Sequence, residues 1–233
     1  MNKGKLYLIP VPIHNEEEFN SKFIPPYLTE EINKLNVFAV ENIRTSRRFL
    51  RKINPKFKIN DTTFHLIDKR TEEAEYSNII NCLINGNDVG VMSESGCPGI
   101  ADPGQKLCSL AHHKNILITP LIGPSSILLA LMSSGLNGQK FTFHGYLPIE
   151  KEKRIKAIKK LHPNTGSHIF IETPYRNQKV YDDLIQNLKP DIRKLCIATD
   201  LTGINESIFT KKISELKQSN IILKKYPTIF IFE

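Results

Sequence analysis

The 233-residue sequence contains no tryptophan and no long hydrophobic run. Its longest strictly apolar segment, residues 127–132, has 6 residues, whereas a membrane-spanning helix needs about 20. The 4 cysteines form no C-x-x-C pair and have no histidine partners at zinc-finger spacing, so neither a structural metal nor a disulfide scaffold is expected. These absences favour a cytoplasmic protein that does not enter a membrane.

Two common nucleotide-binding motifs are also missing. The chain has neither a G-x-x-x-x-G-K-[ST] loop nor a G-x-G-x-x-G turn. The first motif surrounds the phosphates of a nucleoside triphosphate, and the second binds the pyrophosphate of a dinucleotide. The sequence therefore disfavours both ligands.

The composition is that of a folded protein with an excess of positive charge. Apolar residues make up 40% and charged residues 24% of the chain, close to the average for soluble domains. The net charge is +8 and the isoelectric point is about 9.2. Such an excess predicts an anionic partner when the cations lie on one face.

Short β-rich runs alternate with helical stretches in the first half of the chain. The runs are residues 5–11, 37–41, 63–67, 88–93 and 116–121. Between the third and fourth runs, a helix is expected to begin with Thr71 as its cap and to end at Gly86. This alternation predicts βαβ units and a mostly parallel sheet, with ligands where the strands end.

The second half of the chain has a different order of predicted strands and helices. Strands are expected at residues 141–145, 168–172, 195–199, 207–211 and 228–232, and helices near 150–161, 175–188 and 212–218. Because only a short helix separates the last two strands, a mixed sheet is favoured there. We therefore predict two α/β domains, residues 1–120 with a mostly parallel sheet and residues 121–233 with a mixed one.

The loop of residues 93–104 carries the densest signal for function. It has 3 glycines and 2 prolines in 12 residues, which fix an unusual backbone path and allow close approach to a ligand. The alternative is a tight turn in which Asp102 caps the next helix and Pro103 occupies its first position. A second loop, residues 120–126, could flank the same ligand, or Ser125 or Ser126 could simply cap a helix.

Positive charge is concentrated after the second predicted strand. Arg44, Arg47, Arg48 and Arg51 fall at i, i+3, i+4 and i+7, which is one helical face, and 3 lysines follow within the next 7 residues. This stripe suits RNA phosphates. A second cluster between residues 150 and 160 mixes lysines with glutamates and indicates either a solvated face or a further nucleic-acid contact.

Three glutamates follow strand-like runs and are candidate general bases: Glu41, Glu94 and Glu172. A carboxylate within hydrogen-bond reach of a hydroxyl nucleophile can take its proton. The alternative for each is a structural role. His14, just after the first strand, is a fourth candidate.

Six motifs occur in order along the chain. They are Leu6-Tyr7-Leu8-Ile9-Pro10-Val11-Pro12-Ile13, Glu41 with Arg44-Thr45, residues 96–104, Gly123-Pro124-Ser125, Phe143-His144-Gly145-Tyr146-Leu147-Pro148 and Glu172-Thr173-Pro174-Tyr175-Arg176. Together they resemble the tetrapyrrole methylase superfamily. The resemblance is greatest to the branch that methylates a ribose 2′-hydroxyl of small-subunit ribosomal RNA.

The resemblance implies a methyltransferase that binds S-adenosylmethionine and is usually a homodimer. It further implies that backbone of the matching loops holds the cofactor, at Pro12, Gly96, Cys97, Pro98, Gly99, Ile100, Asp102, Gly123, Ser125 and Ser126. The sequence departs from the branch at Asn42 and Ile43, where an acidic residue and a threonine are usual. We expect a methyltransferase acting on structured RNA. The alternatives are an enzyme for a corrin or porphyrin precursor and an inactive RNA-binding protein.

Overall fold

The computed structural model describes residues 2–13, 24–161, 166–188 and 193–233. The chain divides into two compact units, Met1–Ser125 and Ser126–Glu233. His14, a candidate base, lies outside the described residues. No helix within the described ranges is long and apolar enough to cross a membrane.

The first unit is an α/β unit built on a parallel sheet. Its described strands are β1 (Leu6–Leu8), β2 (Val37–Val40), β3 (Thr63–Leu66), β4 (Val89–Met92) and β5 (Ile118–Pro120). Its described helices are α1 (Pro26–Ile32), α2 (Ile43–Ile53), α3 (Glu73–Ile84) and α4 (Gln105–His113), with a 3-10 turn at Ile59–Asp61. The strand order is β3-β2-β4-β1-β5, and the described pairings are all parallel.

The centre of this sheet is buried on both faces. Every residue of β2 and β4 is buried, as expected for parallel strands covered by helices on both sides. Gly90 in β4 is needed for this packing, because a Cβ there would lie 2.6 Å from Ile9 Cδ1 and 2.9 Å from Phe38 Cδ1. The predicted parallel sheet is confirmed.

Two predicted helix caps in this unit are wrong. Helix α3 begins after Glu72 without a side-chain cap, because the Thr71 hydroxyl instead accepts the Asp68 N–H at 2.6 Å. Helix α4 begins after Gly104, again without a side-chain cap. Asp102 therefore does not cap α4, and Pro103 lies outside the helix. Helix α1 was not expected from the sequence.

The second unit is an α/β unit with a mixed sheet. Its described strands are β6 (Phe141–Phe143), β7 (Ser167–Glu172), β8 (Lys194–Thr199), β9 (Ser207–Lys212) and β10 (Thr228–Phe232). Its described helices are α5 (Ser126–Ser134), α6 (Lys151–Lys160), α7 (Asn177–Asn187) and α8 (Ile213–Gln218). The order is β6-β7-β10-β8-β9; β6 and β7 are parallel and the other neighbours are antiparallel.

Side chains of the second sheet alternate between two cores. Ile169 and Ile231 pack with Ala130 and Leu131 of α5, whereas Phe170 and Phe230 pack in a second cluster with residues of α6, α7 and α8. This is the period of two expected for strands covered on both faces. The predicted mixed sheet is confirmed.

Candidate active site

The first sheet has a topological switch point between β2 and β4. These strands are neighbours, but the chain leaves β2 toward β3 on one side and leaves β4 toward β5 on the other. Connections that diverge in this way open a crevice beyond the carboxyl ends of the strands, where α/β proteins bind ligands. Glu41 directly follows β2, and Ser93 and Glu94 directly follow β4.

Two of the three candidate glutamates meet at this switch point. The Glu94 backbone N–H donates a 3.1 Å hydrogen bond to Glu41 Oε2. Thr45 Oγ1 lies 3.4 Å from Glu94 Oε1 and donates to the Asn42 carbonyl at 3.1 Å. Glu41 is thus fixed by the backbone of the next loop, whereas Glu94 has an exposed side chain held by one long hydrogen bond.

Asp102 adds a third carboxylate that is electrostatically coupled to the pair. Partial burial, and then the negative charges of Glu41 and Glu94, raise the pKa of Asp102 from 3.8 to about 6, against an opposing effect of Lys69. The backbone beside it is unusual, since Ala101 has φ 64°, a left-handed conformation that costs energy for a residue with a Cβ. The carboxyl end of the first sheet, the carboxylate edge, therefore has a negative electrostatic potential.

The loops after β1, β4 and β5 are tied to one another. Val11 and Gly96 exchange backbone hydrogen bonds of 2.9 and 3.1 Å, and Cys97 Sγ donates to Pro124 O at 3.4 Å. Gly123 approaches the first loop so closely that a Cβ would lie 2.5 Å from Pro10 Cβ. The glycine-rich segments therefore join three strand ends.

Gly96 and Gly99 set the backbone path of the loop after β4. Both adopt left-handed conformations, with φ 66° and 82°, which favour glycine. A Cβ at Gly96 would point between the two loops and meet only Pro124 O, at 3.9 Å. Pro98 is buried, Ile100 is 51% exposed, and Pro12 directly follows the bridged Val11.

Asn42 has a structural function in this arrangement. It is the N-cap of α2, and its Oδ1 accepts the N–H groups of Arg44 at 3.0 Å and Thr45 at 3.4 Å. Asparagine and aspartate are nearly equivalent caps. The amide at position 42 is thus explained by helix capping and gives no sign of lost activity.

The arginine stripe lies on the exposed face of α2. Arg44, Arg47, Arg48 and Arg51 are all exposed, while the opposite face buries Ser46, Phe49 and Leu50. The predicted helical face is confirmed. Because α2 starts at Asn42, the stripe begins within a few residues of Glu41.

Glu172 lies in the other unit. It is 3% exposed at the end of β7, and its Oε1 accepts the Thr173 N–H at 2.8 Å. Its Oε2 lies 3.2 Å from Arg176 Nη2. The carboxylate is therefore buried beside Arg176, although its Oε2 accepts no hydrogen bond from the described residues. Its catalytic role stays a prediction. Ser125 ends the first unit, and Ser126 opens α5 in the second.

Two residues near the three carboxylates were not predicted as site residues from the sequence. Thr45 contacts Glu94 because it lies three residues beyond the helix cap, and Lys69 acts on Asp102 from the loop after β3. Each had a signal in the sequence: Thr45 follows the capping asparagine, and Lys69 follows a strand of the parallel sheet. The described residues contain no group of three or more His, Cys, Asp or Glu side chains that could hold a metal ion.

This fold, with loops gathered at the carboxyl edge of a parallel sheet, defines a two-unit α/β class of ligand-binding protein. Residues 5–217 match the family Tetrapyrrole (Corrin/Porphyrin) Methylases. The chain belongs to this family and is an S-adenosylmethionine-dependent methyltransferase.

Curated relatives agree with this assignment, and a solved structure shares the fold. The chain is 30% identical to "Ribosomal RNA small subunit methyltransferase I" of Buchnera aphidicola subsp. Schizaphis graminum, covering 100% of this chain and 80% of the relative. It is 29% identical to the protein of the same name from Hydrogenobaculum sp., covering 97% and 98%. The methyltransferase CobJ shares the fold, with a TM-score of 0.62, 16% identity and coverage of 98% and 93%.

The residues of the edge fit the family's methyl donor, S-adenosylmethionine. This molecule carries a sulfonium and an amino-acid end with an ammonium and a carboxylate, but no phosphate. Negative potential near the sulfonium and closely approaching backbone therefore suit it better than a lysine-bearing phosphate loop. Glu41, Glu94 and Asp102 supply the negative potential. The left-handed conformations of Gly96 and Gly99 allow the loop backbone to follow a path close to a ligand. The individual cofactor contacts stay predictions.

Proposed function

We propose that the protein methylates a ribose 2′-hydroxyl of small-subunit ribosomal RNA. The support is the position of α2, whose N-terminus adjoins the carboxylate edge and whose exposed face carries four arginines. RNA phosphates bound along this face would bring a neighbouring ribose toward the switch point. The names of the curated relatives point to the same substrate.

Glu94 is the proposed proton acceptor and Glu41 its positioning residue. When bound, S-adenosylmethionine supplies an electrophilic methyl group. The ribose hydroxyl must lose a proton as it attacks, and the exposed Glu94 carboxylate is less engaged than that of Glu41, which accepts the Glu94 N–H. General-base catalysis of this kind contributes about 100-fold to 10,000-fold.

The test is methyl transfer from labelled S-adenosylmethionine to small ribosomal subunits from a strain lacking the corresponding gene. The wild-type protein should label one ribose, located by mass spectrometry of nuclease fragments. Glu94→Gln should lower kcat about 100-fold or more while donor binding persists. Failure to label RNA, or labelling of a corrin precursor instead, would overturn the proposed substrate.

The arginine stripe is tested separately. Arg47→Glu with Arg48→Glu should weaken RNA binding and reduce its salt dependence, because each lost phosphate contact lowers the salt slope by nearly one. Donor binding, measured by calorimetry, should be unchanged. Equal loss of both activities would contradict the assignment of RNA to α2 and of the donor to the carboxylate edge.

A homodimer and a cytoplasmic location complete the proposal. The homodimer rests on the family resemblance, and the location rests on the cysteine pattern. Light scattering at micromolar concentration tests the dimer directly, with a mass near twice 26.6 kDa expected.

A further inference from the structure

A rigid loop in the second unit presents exposed aromatic side chains. Two arginines hold three successive carbonyls of this loop, which follows β6. Arg176 Nη2 donates to Leu147 O at 2.9 Å and Pro148 O at 3.3 Å. Arg154 Nη1 donates to Pro148 O at 3.0 Å and Ile149 O at 2.7 Å.

Each of these arginines is itself fixed by a carboxylate. Arg154 Nε donates to Asp183 Oδ2 at 2.7 Å, and both side chains are only 6% exposed. Arg176 pairs with the buried Glu172. The buried Arg154–Asp183 pair is costly to break, because each partner would leave an uncompensated charge. The loop is therefore held in one conformation before any partner arrives.

The side chains beside the clamped carbonyls point into solvent. Tyr146 is 55% exposed, Ile149 is 81% exposed and Tyr175 is 85% exposed. Tyr146 and Tyr175 lie at one edge of the sheet, since β6 and β7 are parallel neighbours and Ile171 N donates to Gly145 O at 3.0 Å. We call these three residues the tyrosine platform. Exposed apolar groups on an ordered backbone mark an interaction surface.

A cationic helix continues from the platform. Helix α6 begins two residues after Ile149, and it buries Arg154 and Ile158 on its inner face. Its outer face exposes Lys151, Lys153, Lys156, Lys159 and Lys160. Lys153 is paired with Glu150 at 2.7 Å. The other four lysines outnumber the exposed Glu152, so the outer face keeps a net positive charge.

We propose that the tyrosine platform and the outer face of α6 bind an unpaired segment of the RNA substrate. Bases stack on Tyr146 and Tyr175, and the phosphates that follow lie along the lysines, which is how single strands are bound without sequence readout. This inference rests on the proposed function. A second copy of the chain is the poorer occupant, because a two-fold contact places the same surface on both sides and would oppose like charges.

The probe is a single-stranded oligouridylate of about a dozen nucleotides, with an RNA duplex of equal length for comparison. Tyrosine emission can be followed directly because the chain has no tryptophan. The oligouridylate should quench it, and the duplex should bind less tightly. Tyr146→Ala and Tyr175→Ala should each weaken oligouridylate binding roughly tenfold, whereas the corresponding phenylalanine variants retain affinity.

Matched variants separate stacking from charge. Lys156→Ala with Lys159→Ala should lower the salt slope of oligouridylate binding by about 1.4, the value for two phosphates on a single strand. Lys211→Ala with Lys212→Ala makes the same charge change at exposed positions of β9, at the opposite side of the sheet from β6, and should leave the slope unchanged. The tyrosine variants should also leave it unchanged.

Three results would overturn the inference: unchanged binding in the alanine variants, equal salt slopes in the two lysine pairs, or dissociation of a dimer by Tyr146→Ala with Tyr175→Ala. The last would make the platform an interface between copies. The proposed function fails separately, when the wild-type protein binds the oligouridylate yet methylates no ribosomal RNA.

Discussion

Replacing Asp102 with asparagine should stabilise the protein near neutral pH. The raised pKa, from 3.8 to about 6, corresponds to about 3 kcal/mol of preference for the protonated carboxyl in the folded state. Asp102 is partly exposed, so screening by solvent reduces the net penalty of its charge to about 1 kcal/mol. Asparagine has nearly the same shape and no charge, and therefore removes this penalty.

The sign of the pH dependence follows from the same shift. Between pH 3.8 and about 6 the folded protein binds more protons at Asp102 than the unfolded chain does, so this residue lowers stability as pH rises. The penalty is fully present above about pH 6. Asp102→Asn should therefore be more stable than wild type by about 1 kcal/mol at pH 7.5, and this advantage should shrink toward pH 4.

Urea unfolding followed by circular dichroism at pH 4.5 and 7.5 measures the effect. Thermal unfolding at pH 7.5 should show a Tm for Asp102→Asn about 2 to 4 °C above that of the wild type. Asp61→Asn is the control, since Asp61 is exposed in the same unit and its replacement should change stability by less than about 0.5 kcal/mol. Our reasoning is refuted if Asp102→Asn is less stable at pH 7.5, or if its advantage does not depend on pH.

Two further predictions concern the same edge. Gly96→Val should reduce S-adenosylmethionine binding below detection in calorimetry, because φ of 66° strains a β-branched residue and the side chain enters the space between the loops; Gly138→Val, at an open position, should bind normally. Asn42→Ala should lower the free energy of unfolding by about 1 kcal/mol through loss of the cap, whereas Asn42→Asp should stay within about 0.5 kcal/mol of wild type. A destabilised Asn42→Asp would show that the amide does more than cap α2.

Much of the fold was predictable because the strands are local apolar runs of the right length. Every expected strand is present at or within a few residues of its predicted position. Helix α1 was not predicted, since it is only 7 residues long and follows a proline at its N-cap. The two caps fail for different reasons. The Thr71 hydroxyl bonds within its own turn, to the N–H of Asp68, whereas Asp102 lies in a tertiary environment with Glu41 and Glu94 that local sequence does not reveal.

The site was predictable only in part, for a related reason. A glutamate at the end of a strand is easily recognised, but which strands are neighbours is set by the sheet order. Glu41 and Glu94 meet because β2 and β4 pair despite the intervening β3. Glu172 also lies at the end of a strand, but that strand belongs to the second sheet, and the Glu172 carboxylate is paired with Arg176.

The strand-to-helix junction at Glu41 and Asn42 explains how one protein can bind a cation and an anion side by side. On the strand side, burial and the charges of Glu41 and Glu94 raise the pKa of Asp102, and the three carboxylates together create negative potential suited to a sulfonium. On the helix side, the arginines project from the solvent face of α2, away from the core that Phe49 and Leu50 fill. Carboxylates and arginines on flexible segments would pair with one another. A rigid backbone is therefore needed to keep the two sets of charges apart. The Asn42 cap and the bridged glycine loops provide that rigidity.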